Sequence, residues 1–188
     1  MTAFRKHTVE SAPPESRAAM TRLRESAGLI PNLAATMSES SVLIDGFVTL
    51  REIVQRSTLN AQEREILALS NAVANGCAWC VAFHSFVALK LGIDPPTVEA
   101  IRNGETPKDK RSGALNRFAK RLIDRRGAIA REDLEDFTSA GFSRQQALDV
   151  VAGQAMSLMA NYAGNFVGPE LDGFLTDLRW SAPADGRT

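Results

Sequence analysis

The chain has 188 residues, enough for one sizeable hydrophobic core, and is expected to form a single domain over 1–188. Its 22 basic and 22 acidic residues balance, which argues against nucleic acid or an anionic membrane as a partner, and 44% apolar residues fit a folded domain. No apolar run approaches the roughly 20 residues needed to span a bilayer, and the N-terminus lacks a signal-peptide pattern, so a cytoplasmic location with reduced thiols is expected.

Taken in chain order, the pattern is helical nearly throughout. Residues 1–12 are expected to be a mobile tail. A first helix covers 13–26, ended near Gly28, and a break follows at 28–32. A second helix covers 41 to about 55. Asn60 then opens a strong helix, with Glu63 three residues on as in a capping box. Ile66, Leu69 and Val73 recur on one face, and Asn75-Gly76 ends it, because glycine tolerates the left-handed closing conformation. The next helix starts at about Cys77 and runs to Leu91. It is apolar almost all round, so it reads as buried on every side, and this suggests a homo-oligomer. Asp94-Pro95-Pro96 caps a short helix to Asn103.

The second half repeats these signals. A basic amphipathic helix covers roughly 109–126, a short one 131–139, and a long one 144–166 capped by Ser143 with Gln146. A last short helix covers 171–178. Segment 108–126 carries eight basic and two acidic residues and reads as a solvated face, with Leu115, Phe118 and Leu122 turned inward. Docking of an acidic reductant there has no support in the sequence. Met156, Met159, Tyr162 and Phe166 stand at helical spacing and read as core. The architecture expected is an all-α, compact multi-helix domain with a C-x-x-C at the start of a buried helix.

Residues 75–86, NGCAWCVAFHSF, hold both cysteines and one of the two histidines. Positions three and four apart share a helix face, so Cys77, Cys80 and His84 form one stripe. Long side chains lean toward the helix N-terminus, which tilts the His84 imidazole toward Cys80. Cys77 lies about 10 Å from His84 along the axis, out of direct reach. His84 can therefore serve Cys80 as a base, making Cys80 the candidate nucleophile and Cys77 its resolving partner. The helix N-terminus favours a thiolate at Cys77 instead. The base decides for Cys80. On the preceding helix Glu65 could orient His84, offset by about one turn that a crossing angle or a water must close.

A pair of buried cysteines could also be plain core. Zinc would need four ligands, and the thiols with His84 supply three, His7 being in the expected tail, so no metal is expected. A haem-attachment motif needs histidine where Val81 stands, and a thioredoxin fold needs a strand before the motif.

The pattern Glu65-x11-Cys77-x2-Cys80-x3-His84 resembles the signature of the alkylhydroperoxidase-D-like proteins of the carboxymuconolactone decarboxylase superfamily. The stretch RESAGLIPNLAATMSES also resembles the region before the core in their peroxidase-related branch. The resemblance implies an all-helical fold, trimers or hexamers, and a dithiol that reduces hydroperoxides without a bound cofactor. In the family pattern Cys80 attacks the peroxide, Cys77 resolves it, and Glu65 and His84 relay protons. An external dithiol reductant, a lipoyl or thioredoxin-like protein, is then required. The sequence departs from the best-described members at Trp79, where they carry a relay histidine; an indole shuttles no proton, and Trp79 is expected in the pocket wall. Decarboxylases of the superfamily generally lack the cysteine pair, which argues against lactone decarboxylation. Two rivals are a redox-responsive interaction module without turnover, and a lyase or isomerase using only His84 and Glu65.

Overall fold

The computed structural model describes residues 4–182, and among these there are helices and turns but no strand. Nine α-helices follow in order: α1 (Arg17–Ala27), α2 (Asn32–Met37), α3 (Ser41–Val54), α4 (Ala61–Ala74), α5 (Ala78–Lys90), α6 (Pro95–Arg102), α7 (Lys110–Asp124), α8 (Arg131–Ser139) and α9 (Arg144–Val167). Short 3-10 turns stand at Pro14–Ser16 and Gly173–Leu178. No helix among the described residues is long and apolar enough to cross a membrane.

Local chemistry explains where the helices begin. Asn60 accepts from the Glu63 amide while the Glu63 carboxylate accepts from the Asn60 amide, and Ser143 and Gln146 form the same reciprocal pair at α9. Asp94 caps α6 through the Thr97 amide, and Asp109 caps α7 through that of Ser112. Gly76 turns the chain from α4 into α5 at φ 64°, a conformation that costs a glycine little.

Helix α4 is the centre of the molecule, packed against α5, α6, α7 and α9. Two buried polar contacts fix it sideways: Asn71 donates to the Ser157 hydroxyl of α9 at 3.1 Å, and Asn116 of α7 donates to the Ser70 hydroxyl at 2.8 Å. Pairings of this kind, closed within the interior, specify one register among many that apolar contacts alone would allow. Leu115, Phe118 and Leu122 of the basic helix are buried as expected.

The structure corrects some of these expectations and completes others. Residues 4–12 do not form a free tail: the His7 amide donates to the Ala35 carbonyl of α2 at 3.1 Å, and the His7 side chain is buried. Residues 1–3 lie outside the described residues. The break at 28–32 is followed by α2, in a stretch to which the sequence assigned no element. Helix α5 buries Trp79, Cys80, Val81, Ala82, Ser85 and Ala88, and in the single chain it leaves Leu89 and Lys90 exposed. Tyr162 and Phe166 are not core: they are 60% and 77% exposed, because the face of α9 that carries them turns away from α4.

Candidate active site

The α4–α5 hairpin builds the site. Cys77 is the N-cap of α5, one position earlier than a helical Cys77 would be, and its sulfur accepts from the Cys80 amide at 3.4 Å. The two cysteines form a disulfide, with their Cα atoms 5.2 Å apart. Both residues are 1% exposed, yet they differ in surroundings. Cys80 lines a cavity of about 360 Å³ and Cys77 does not. That volume is in the range of small-molecule pockets, about 300–1,000 Å³.

His84 stands one turn beyond Cys80 in the wall of the same cavity. Its Nδ1 lies 2.8 Å from Glu65 Oε2, so the offset inferred from helical rise is closed by the side chains directly, without a water. A carboxylate accepts only, so Nδ1 carries the hydrogen and donates it; the neutral imidazole then keeps its lone pair on Nε2. Nε2 has no protein partner among the described residues. Both side chains are about one-fifth exposed, which shelters the pair without sealing it.

Aromatic rings form the adjoining wall. Trp79 stacks on Phe83 at 5.1 Å between centroids, and Phe83 meets His84 edge-on at 5.4 Å. The Trp79 indole N–H donates to Asp172 at 3.2 Å, so it is already satisfied and its ring face is what serves the cavity. The same Asp172 accepts from the Asn32 amide at the start of α2. One carboxylate therefore ties the cavity wall to the helix that supplies Leu33, Ala34 and Met37 to it.

Across the sulfurs runs α9. The Ala160 carbonyl lies 3.8 Å from Cys80 Sγ, and a Cβ on Gly164 would stand 2.7 Å from Cys77 Sγ and 3.5 Å from Cys80 Sγ. Such a distance is below van der Waals contact, so glycine is required for α9 to pass this close. Cys77, Cys80, His84, Glu65 and Trp79 are thus brought together as the spacing predicts. Arg51, Asp172, Ala160 and Gly164 were not foreseen. Apart from Arg51, a lone cation in a helix whose neighbours give no cue, they reach the site from beyond residue 159, where no local signal marks them. Among the described residues no group of three or more His, Cys, Asp or Glu gathers as metal donors.

Residues 44–109 match the model of the carboxymuconolactone decarboxylase family, a stretch that carries Glu65, both cysteines and His84. Solved structures are similar over nearly the whole chain. One is an alkylhydroperoxidase AhpD core, an uncharacterized peroxidase-related protein from Ralstonia eutropha JMP134, with TM-score 0.79 and 20% identity, covering 93% of this chain and 94% of that one. Another is an uncharacterized peroxidase-related protein from Silicibacter sp. TM1040, with TM-score 0.75 and 20% identity, covering 93% of each chain. A third is the C82A form of the debrominase Bmp8 in complex with 2,3,4-tribromopyrrole, with TM-score 0.77 and 16% identity, covering 94% and 95%. No curated protein matches the chain in sequence. Residues 44–109 are thus similar to the carboxymuconolactone decarboxylase family, and over nine-tenths of its length the chain has the fold of the alkylhydroperoxidase AhpD core structure.

Proposed function

We propose that the protein is a dithiol peroxidase in which Cys80 attacks a hydroperoxide. The observation that carries this reading is the shared cavity: it is lined by Cys80, His84 and Glu65, with the imidazole held by the carboxylate and its other nitrogen unpartnered. In the reduced protein, His84 Nε2 takes the Cys80 proton. The thiolate attacks the O–O bond, and the imidazolium returns its proton to the departing alkoxide, giving an alcohol and a Cys80 sulfenic acid. Cys77 then attacks the sulfenic sulfur, releasing water and forming the Cys77–Cys80 disulfide. The Cys80 amide that points at Cys77 Sγ would favour the Cys77 thiolate, both as it resolves the sulfenic acid and as it leaves during reduction. An external dithiol of the lipoyl or thioredoxin type takes up the oxidising equivalents.

The debrominase of the same fold means that fold does not decide the reaction, and turnover must. Hydroperoxide consumption is measured with dihydrolipoamide in excess. Continuous turnover that vanishes in Cys80→Ser supports the reading. Oxidation that stops after one equivalent per subunit would favour a redox-responsive module, and activity surviving in Cys80→Ser would favour a lyase or isomerase using His84 and Glu65.

A further inference from the structure

The cavity around Cys80 also takes in Arg51 of α3, a cation for which the dithiol chemistry has no use. Burial pushes the Arg51 pKa below the ordinary arginine value, against the weaker upward pull of Glu65 and Glu52 at longer range. No carboxylate among the described residues pairs with it. The nearby ion pairs join Arg22 to Asp45 and Glu52, and His84 to Glu65. The guanidinium makes one hydrogen bond, from Nη1 to the Ser26 hydroxyl at 3.0 Å, and that hydroxyl donates onward to the Leu23 carbonyl. A guanidinium presents five N–H donors in a planar fork that matches a carboxylate, so most of this fork stays open.

The rest of the cavity sharpens the point. Arg64, the second arginine of the wall, is turned to the Leu59 carbonyl. Two arginines thus stand in the wall against one carboxylate, Glu65. Otherwise the lining is mostly apolar, with Leu23, Phe47, Val54, Val87 and Met156 among its residues. A charge withdrawn from water without a counter-ion is costly, and an incoming anion offsets that cost.

We propose that Arg51 binds the carboxylate of an amphipathic substrate, so that the site takes anionic organic hydroperoxides of the free fatty-acid kind in preference to their neutral esters. The reacting group rests on the peroxidase reading above; the anionic end rests on Arg51 alone. The two are tested separately. Octanoate and 1-octanol are titrated into the protein by calorimetry. Octanoate is expected to bind about tenfold tighter, the least that a charge-assisted hydrogen bond contributes. Arg51→Gln should bring the two ligands level, and Arg51→Lys should keep part of the preference. Equal binding of the two by the wild type, no binding of octanoate, or a preference retained in Arg51→Gln overturns the assignment.

In the kinetic arm, linoleic acid hydroperoxide is compared with its methyl ester, and the wild-type preference is expected in KM and to be lost in Arg51→Gln. An octanoate preference without turnover of any peroxide would leave Arg51 as an anion site and remove the peroxidase. Turnover of cumene hydroperoxide with equal binding of octanoate and octanol would do the reverse.

Discussion

At the scale of single residues, the proposed chemistry divides between two sulfurs given different help. Cys80 has the cavity and His84, whereas Cys77 has the Cys80 amide and no opening. On this proposal the Glu65–His84 bond leaves Nε2 as the base, so His84→Gln should lower kcat/KM about 100-fold, the low end of what a positioned base supplies. Glu65→Gln should cost less, because its amide oxygen can still accept from Nδ1, whereas Glu65→Ala should approach the loss in His84→Gln. Equal losses in Glu65→Gln and Glu65→Ala would show that the hydrogen bond to Nδ1 does not position the imidazole. Gly164 is tested differently. Gly164→Ala drives a methyl group toward Cys77 Sγ, and overpacking of this kind costs about 1–3 kcal/mol. The expected readout is a lower Tm, and an unchanged Tm would show that α9 can withdraw freely. The sequence made the four central residues legible because one hairpin carries them all. Gly164 was illegible because its constraint is a contact across more than 80 positions.

At the scale of elements, several helices announce themselves through side-chain caps. Asn60 with Glu63, Asp94, Asp109 and Ser143 with Gln146 all mark starts that the structure contains. Helix α2 has no such mark. Its N-cap is Pro31, and the Asn32 amide is met by Asp172, 140 residues later, so nothing local could reveal it. In helix α5 the apolar circumference serves both the core and the cavity, which it lines through Phe83 and Val87.

The cap of α7 carries a stability prediction. Asp109 accepts from the Ser112 amide and hydroxyl, and these bonds hold its carboxyl below the ordinary value of 3.8. Removing it in Asp109→Ala should cost about 1 kcal/mol near neutrality. Because the folded-state pKa is lowered, the contribution is complete above the unfolded value and fades as pH falls through the folded one. Denaturant midpoints of wild type and variant should therefore converge in acid; a constant gap would assign the effect to something other than this carboxylate.

At the scale of the whole molecule, α9 serves two surfaces. One face closes the cavity with Gly153, Met156, Ser157 and Ala160. The other exposes Leu148, Val151, Leu158, Tyr162 and Phe166, with Leu148 73% exposed. An apolar stripe along about four-fifths of α9, the longest helix among the described residues, is large for the surface of a monomer. We expect light scattering to report a homo-oligomer, and Tyr162→Glu with Phe166→Glu to shift it toward monomer; a wild-type monomer would dismiss the expectation. The oligomer suggested by α5 in the sequence thus finds its better structural candidate in α9, where periodic apolar residues were mistaken for core because periodicity alone does not say what covers a face.

The most direct measurement of the central claim locates the first oxidised sulfur. Cys77→Ser protein is treated with one equivalent of hydroperoxide beside dimedone, and the modified peptide is mapped by mass spectrometry. A dimedone adduct on Cys80, formed faster with His84 intact than in His84→Gln, is the predicted result. A Cys80 that stays unmodified while Cys77 of the Cys80→Ser protein takes the adduct would contradict the account.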